Sequence, residues 1–236
     1  MKAQSEASKE FFDENWKLYQ VVLDNNYLFH QQMYSALRDF LHLKYKKKNF
    51  SFLDLGCGDA DFISKSLSTL PVVKYTGVDI AQSVLSMADS HLKKLHINHD
   101  LIKEDFYNYI NNAEDVYDCI LISYSLHHLP TMSEKRAFIQ ACKSKLTPGG
   151  SFLIIDLVKK DGQSRKEWFG AYKAYAEKYQ TALSKPQLDS GLAHIKNDDY
   201  PASIVDYEKV SMDLGFSDFT LLREEEDRFA IMAMTV

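Results

Sequence analysis

From residue 50 onward, short apolar runs alternate with segments whose apolar residues recur at helical spacing. Helices are predicted near residues 60–69, 81–94 and 132–146, between five predicted strands. The strands are Ser51–Leu55, Lys74–Asp79, Asp100–Lys103, Tyr117–Ser123 and Ser151–Leu157. Because helices between successive strands act as crossovers, this order predicts an α/β fold with a mostly parallel sheet.

The pattern changes on both sides of this alternating region. Two helices are predicted before it, with a break at Asp24–Asn26. After it, Phe216–Leu222 and Phe229–Val236 predict a closing antiparallel pair of strands. We therefore expect an N-terminal helical cap over residues 1–48 and a main domain over residues 49–236.

An insertion of about residues 158–205 interrupts the alternation of strands and helices. Ser164 and Glu167 form a predicted capping box, which begins a helix. That helix carries an aromatic stripe at helical spacing, formed by Trp168, Tyr172, Tyr175 and Tyr179. The stripe favours packing over an aromatic cage for a cation. The stretch that follows predicts a loop, because it contains Pro186, Gly191 and Pro201, and a short helix is predicted after it near residues 204–214.

Charge and cysteine content narrow the classes of function. The formal net charge is -5, so the chain lacks the basic surface that usually binds nucleic acid. The N-terminus is polar, and no apolar run is long enough to span a membrane. The cysteines are few and lack zinc-ligand spacing, which predicts no metal site and a reducing, cytoplasmic location. They are Cys57, Cys119 and Cys142.

A glycine turn follows the first predicted strand, within Phe52–Phe62. Gly56 and Gly58 allow the backbone to turn tightly and to approach a ligand closely. Asp79 ends the second strand about 20 residues later, where its carboxylate can accept hydrogen bonds from ribose hydroxyls. Since ligands bind at the carboxyl ends of strands in open α/β sheets, this spacing predicts a nucleoside ligand.

The glycine turn is also acidic, because Asp54, Asp59 and Asp61 surround its glycines. The phosphates of a dinucleotide would face like charges there. NAD would in addition require a third glycine at the position of Asp61. A nucleoside with an ammonium and a sulfonium suits this turn, which favours S-adenosylmethionine over NAD as the cofactor.

These motifs resemble those of the class I S-adenosylmethionine-dependent methyltransferases over residues 50–157 and 215–236. The segments Leu121–Leu129 and Leu146–Gly150 resemble that family as well, whereas many members have a third glycine where Asp61 lies. The resemblance implies a Rossmann-like, seven-stranded sheet with an antiparallel C-terminal strand and a helical substrate lid in the insertion. It implies that the cofactor contacts Asp54, Gly56, Gly58, Asp59, Asp79, Ile80, Asp105, Phe106 and Ser123.

Methyl transfer from a sulfonium is an in-line displacement in which the protein aligns the reactants, so a catalytic base is optional. His127 and His128 follow the fourth strand, on the rim that faces the methyl group, and are the predicted catalytic residues. A second group of candidates would contact the substrate from the N-terminal helices and the insertion. These candidates are His30, Arg165, Tyr172 and His194.

The identity of the acceptor stays open at this point. A small molecule is favoured because the substrate region is elaborate and no nucleic-acid module is present, and a homodimer is a further expectation. The alternatives are tRNA modification, synthesis of a cofactor such as carboxy-S-adenosylmethionine, and a regulatory protein that binds S-adenosylmethionine without turnover. Synthesis of carboxy-S-adenosylmethionine would require cations near the methyl group, and Arg165 is the obvious candidate in the insertion.

Overall fold

A central sheet organises the protein, which the computed structural model describes over residues 18–236. Its strands are β1 Phe50–Leu55, β2 Val72–Asp79, β3 His99–Lys103, β4 Tyr117–Ser123, β5 Leu146–Lys159, β6 Ala202–Ser203, β7 Asp218–Glu225 and β8 Phe229–Thr235. Seven strands follow the order β3-β2-β1-β4-β5-β8-β7, and the short β6 pairs with β5. Strands β1 to β5 are parallel, whereas β8 is antiparallel to β5 and β7. This topology confirms the predicted fold class.

Helices cover both faces of the sheet. Residues 18–24 form helix α1. Phe12 and Trp16, whose helical spacing in the sequence predicts part of the first N-terminal helix, lie outside the described residues. The other helices are α2 His30–Tyr45, α3 Asp61–Leu67, α4 Gln82–Lys94, α5 Phe106–Asn112, α6 Met132–Ser144, α7 Arg165–Tyr179, α8 Lys185–Asp198 and α9 Ile204–Asp213, with a 3-10 turn at Leu126–His128. Within residues 18–236, no helix has both the length and the apolar character needed to cross a membrane.

Two of these helices differ from the expectation. The sequence pattern predicts no helix after β3, yet Asp105 begins α5, because its carboxylate accepts hydrogen bonds from the backbone N–H groups of Tyr107 and Asn108. The stretch predicted as a loop contains α8. Pro186 does not prevent this helix, because it lies in the first turn, where a backbone N–H has no intrahelical partner.

Alternate residues of the strands pack on opposite faces of the sheet. On one face, Phe52 and Leu121 share a core with the apolar sides of α2, α3, α4, α7 and α8. On the other face, Ile120 and Ile154 pack with α5, α6 and α9. The aromatic stripe of α7 belongs to the first core, except for the exposed Tyr179, so its predicted packing role is confirmed.

A buried lysine holds the 3-10 turn that follows β4. Lys135 of α6 is 1% exposed, and its Nζ donates hydrogen bonds to the carbonyl oxygens of Leu126 and Leu129, at 2.8 and 2.5 Å. Burial lowers the pKa of Lys135 to about 8. These bonds position the turn that carries His127 and His128.

Replacing this lysine tests the contribution of the turn to stability. We expect Lys135→Met to lower the free energy of unfolding by about 1–3 kcal/mol, because two buried carbonyl oxygens lose their donor. Urea denaturation measures the change. Arg136→Met, at the exposed neighbouring position of the same helix, is the matched control and should change stability by less than about 0.5 kcal/mol. Equal losses in both variants would contradict the assignment.

Candidate active site

The turn after β1 lies at the carboxyl edge of the sheet and is hydrogen-bonded to β2. The backbone N–H groups of Gly56 and Cys57 donate hydrogen bonds to the carbonyl oxygen of Val78, at 2.8 and 3.0 Å. Gly56 has a φ of 73°, a left-handed conformation that favours glycine. A Cβ atom on Gly56 would lie 2.6 Å from Oγ of Ser125. The turn therefore packs closely against the loop that follows β4.

Asp79 ends β2 and faces the same turn. Its carboxylate accepts hydrogen bonds from the backbone N–H groups of Gly58 and Ala81, each at 2.9 Å. Because each carboxylate oxygen offers more than one acceptor position, Asp79 can accept further hydrogen bonds while these two hold it in place. It lines a cavity together with Gly58 and Ile80, as the sequence predicts for a ribose-binding acid.

Asp54 lies inside the sheet just before the turn and is 1% exposed. Its Oδ2 accepts a hydrogen bond from the hydroxyl of Tyr75 at 2.8 Å, while its Oδ1 has no hydrogen-bond partner within the described residues. Burial raises the pKa of Asp54 to about 7, and the charge of Asp79 adds to this effect. Asp54 does not line the cavity, but its carboxylate directly precedes the glycine turn, and its charge there favours a cationic ligand such as S-adenosylmethionine.

The turn is less acidic than the sequence predicts. Asp61 forms a salt bridge with Lys65, one helical turn later, at 2.6 Å, so a nearby cation offsets its charge. The left-handed residue that precedes α3 is Ala60, with a φ of 55°, whereas Asp61 begins the helix. The position that favours a third glycine is therefore Ala60 and not Asp61. The charge argument rests on Asp54 and Asp59, together with the carboxylate at the end of β2.

Aromatic residues near the N-terminal helices cover the cavity. The hydroxyl of Tyr34 is hydrogen-bonded to Oγ of Ser123 at 2.9 Å, and the hydroxyl of Tyr124 donates to the carbonyl oxygen of Leu28 at 2.6 Å. His30 lies against this cover, with its ring centroid 4.4 Å from that of Tyr124. Burial lowers the pKa of His30 to about 3, so its ring is neutral at physiological pH. The predicted residues His30 and Ser123 thus both line the cavity.

The insertion forms another wall of the cavity. Tyr172 of α7 and Leu192 and His194 of α8 line it. The short strand β6 pairs with the end of β5. The backbone N–H of Tyr200 also donates a hydrogen bond to the carbonyl oxygen of His127 at 2.8 Å. These bonds bring the segment after α8 against the turn after β4.

His127 is held by a buried carboxylate. Its Nδ1 is hydrogen-bonded to Oδ1 of Asp156, and its Nε2 lies 3.6 Å from Oδ1 of Asp199. Burial alone would lower the pKa of His127, but the charges of the two carboxylates together outweigh burial and raise it. Asp156 therefore fixes the orientation of the ring and leaves Nε2 facing Asp199 at the cavity wall.

Two further imidazoles surround Asp199. Nδ1 of His128 and Nε2 of His194 lie 3.6 and 3.8 Å from its Oδ1. Burial lowers the pKa of His128 well below its usual value and raises the pKa of Asp199. Together with His127, these residues form a histidine cluster in the cavity wall, defined as His127, His128, His194 and Asp199.

The sequence is similar to a family of known proteins and to two curated relatives. The model of a family described as a methyltransferase domain matches residues 53–152. The chain is 32% identical over 121 residues to the mitochondrial ubiquinone biosynthesis O-methyltransferase of Saccharomyces cerevisiae. It is 26% identical over 148 residues to carboxy-S-adenosyl-L-methionine synthase 1 of Yersinia pseudotuberculosis. These matches cover 49% and 59% of this chain but 36% and 60% of the relatives, less than two thirds of their length.

The fold is similar to that of magnesium protoporphyrin IX methyltransferase from Synechocystis PCC 6803, solved with bound S-adenosylhomocysteine. The TM-score is 0.67 at 14% identity, and the alignment covers 96% of each chain. Residues 53–152 therefore match a methyltransferase domain, and the chain shares the fold of S-adenosylmethionine-dependent methyltransferases. The match and the shared fold support the family and the cofactor that the sequence predicts.

Apart from the buried Asp54, three residues predicted for the site lie outside the cavity wall. Asp105 caps α5, and Phe106 is 1% exposed in the core. Arg165 donates hydrogen bonds through Nε and Nη2 to the carbonyl oxygens of Asp199 and Lys196. Its guanidinium therefore holds the segment that carries Asp199 and is not directed at an acceptor.

Two residues of the candidate site, Asp156 and Asp199, were not identified from the sequence. Asp156 lies in the apolar run of β5, and a carboxylate in a fully buried strand is a signal that it has a partner. Asp199 carries no comparable signal, because its position depends on how the insertion docks.

Asp54 should make cofactor binding depend on pH. With a pKa of about 7, its carboxyl is mostly protonated below pH 7 in the free protein, and a ligand ammonium favours the ionised form. We expect the affinity for S-adenosylhomocysteine to rise between about pH 6 and 8. Asp54→Asn should bind more weakly and lose this rise, as isothermal titration calorimetry would show.

Asp61→Asn is the matched control, because Lys65 already offsets the charge of Asp61. It should keep the rise in affinity. The same pH profile in wild type and Asp54→Asn would refute the role of Asp54.

Proposed function

We propose that this methyltransferase transfers a methyl group from S-adenosylmethionine to a small-molecule acceptor inside the cavity. The observation that carries the proposal is that one cavity is lined both by Asp79 at the glycine turn and by the histidine cluster. A donor at the turn and an acceptor at the cluster would be held side by side, as an in-line displacement requires. The aromatic cover and the insertion would keep water away from both.

Residues of the chain fit the parts of this cofactor. Asp79 would accept hydrogen bonds from the ribose hydroxyls, the turn at Gly56 and Gly58 would approach the methionine part, and Ile80 would pack on the adenine. Asp59 and Ser123 line the same cavity, while contacts of Asp105 and Phe106 with the adenine remain predictions. Bound in this way, S-adenosylmethionine supplies the methyl group, which leaves sulfur as the acceptor lone pair forms the new bond.

We assign His127 and His128 to the acceptor, as the residues that promote loss of its proton. Asp156 occupies Nδ1 of His127, so Nε2 is the atom that faces the cavity wall. Nζ of Lys135 donates hydrogen bonds to the carbonyl oxygens of Leu126 and Leu129, which flank the two histidines in the 3-10 turn. Both imidazoles are therefore fixed in place before the acceptor binds.

The cavity favours a small and largely apolar acceptor. Among residues 18–236, no lysine or arginine lines it. A site that makes carboxy-S-adenosylmethionine would need such a cation for its acidic reactant, and Arg165 is bound to backbone carbonyls instead. The net charge of -5 does not favour tRNA. The cytoplasmic location and the homodimer remain predictions from the sequence.

Removing the carboxylate of Asp79 tests cofactor binding directly. We expect Asp79→Ala to weaken binding of S-adenosylhomocysteine by about 10- to 100-fold, because hydrogen bonds to a charged acceptor are lost. Isothermal titration calorimetry measures the effect. Asp100→Ala is the matched control, since this exposed aspartate lies at the start of the adjacent strand and pairs with Lys74. Tighter binding of NADH than of S-adenosylhomocysteine would refute the proposed ligand.

Substituting the two histidines separates binding from transfer. We expect His127→Gln and His128→Gln to retain binding of S-adenosylhomocysteine and to lose methyl transfer by about 10²–10⁴-fold. Transfer is followed as label from methyl-labelled S-adenosylmethionine that enters the small-molecule fraction of a cell extract. Unchanged transfer in both variants would remove these histidines from the reaction. Label in RNA rather than in small molecules would overturn the proposed acceptor.

A further inference from the structure

We propose that His127, His128 and Asp199 bind a divalent transition-metal ion, of which Zn²⁺ fits their donor atoms best. The inference rests on the proposed function, because the ion would lie in the wall of the cavity that holds the acceptor. The sequence predicts no metal site, because the cysteines lack the spacing of zinc ligands. The sequence alone does not show that Asp199 lies next to the histidine pair, so this proposal differs from that expectation.

The distances between the donor atoms suit an ion. One ligand atom from each of the three residues can be chosen so that all lie within 4.8 Å of one another. Oδ1 of Asp199 is 3.6 Å from both Nε2 of His127 and Nδ1 of His128. Donors bound to tetrahedral Zn²⁺ at about 2.0–2.2 Å lie roughly 3.3–3.5 Å apart. Both carboxylate–imidazole distances are close to this range, whereas the two imidazole donors, which lie within 4.8 Å of each other, would move closer on binding.

The oxygen at the centre of this arrangement lacks a hydrogen bond. Asp199 is 2% exposed, and its Oδ1 has no hydrogen-bond partner within the described residues. A buried carboxylate oxygen without a hydrogen bond is costly, and the imidazoles at 3.6–3.8 Å offset the effect of burial on Asp199 only in part. A cation bound between Asp199, His127 and His128 would compensate it.

Asp156 provides the support that metal-binding histidines usually have. Its hydrogen bond to Nδ1 of His127 leaves Nε2 as the ligand atom and fixes the ring orientation. His128 would give up the 3.3 Å contact of its Nδ1 with the carbonyl oxygen of Asp198 and carry its proton on Nε2. Nε2 of His194, 3.8 Å from Oδ1 of Asp199, borders the site.

The donor set determines the class of ion and what it could do. Two imidazoles and one carboxylate suit Zn²⁺ and related ions, whereas Mg²⁺ prefers oxygen ligands. Three protein ligands leave a position open, as in catalytic zinc sites. An acceptor hydroxyl could bind there as the anion, its proton passing to solvent. Its lone pair would attack the methyl carbon, and the electron pair of the broken carbon–sulfur bond would stay on sulfur.

Titration with Co²⁺ tests the site without the acceptor. The full chain, without an affinity tag and dialysed against a chelator, is titrated with Co²⁺ while visible absorption is recorded. We expect an absorption band that saturates at one equivalent, disappears when Zn²⁺ is added and is insensitive to Mg²⁺. Asp199→Asn and His128→Gln should lose the band, and Asp156→Asn should weaken Co²⁺ binding by about 10–100-fold. His42→Gln, a partly exposed histidine bonded to Thr69, should match wild type.

Binding of S-adenosylhomocysteine is measured on the same samples, so that the two proposals can fail separately. Wild-type protein that binds S-adenosylhomocysteine but shows no saturable Co²⁺ band would overturn the metal site alone. The same conclusion follows if folded Asp199→Asn binds Co²⁺ as tightly as wild type. Absence of S-adenosylhomocysteine binding in wild type would instead overturn the proposed function. The wild-type titration is decisive even where a variant does not fold.

Discussion

The close approach of Gly56 to Ser125 sets the distance between the glycine turn and the histidine cluster. A methyl group in place of a hydrogen of Gly56 would lie 2.6 Å from Oγ of Ser125, so one of the two loops would have to move. The loop at Ser125 continues directly into the turn with His127 and His128. Contact between one glycine and one serine therefore determines how near an acceptor at the histidines can come to a donor at the glycine turn.

The fold could be predicted well where its signals are local. Strands β1, β2 and β4 coincide with apolar runs. The capping boxes of α6, at Thr131 and Glu134, and of α7, at Ser164 and Glu167, can be read in the sequence and are present in the structure. Helix α5 was not predicted, because it has only seven residues and two buried positions, Phe106 and Ile110, which are too few to show a helical period. Helix α8 was not predicted, because Pro186 and Gly191 are breakers in a helix interior, yet the proline occupies the first turn and the glycine has open space around it.

The residues of the site, like the elements of the fold, could be predicted only where their signals are local in the sequence. Asp79 and the glycines could be placed from the sequence, because the order of strands brings their carboxyl ends to one edge of the sheet. Asp199 could not, because it reaches His127 through the pairing of β6 with β5 and through one backbone hydrogen bond from Tyr200. Arg165 shows the opposite case: its charge indicated a substrate contact, but its hydrogen bonds are to backbone carbonyls of the insertion.

The buried carboxylates explain why folding and ligand binding should be linked in this protein. Asp54 and Asp199 each keep a buried oxygen without a hydrogen bond, and no lysine or arginine among the described residues lines the cavity between them. Such groups reduce the stability of the free protein, since burial without compensation disfavours their charge. A ligand that brings positive charge to either end removes part of this cost and thereby stabilises the folded state. The folded protein is thus less stable when the cavity is empty, and binding of a cationic cofactor raises its free energy of unfolding.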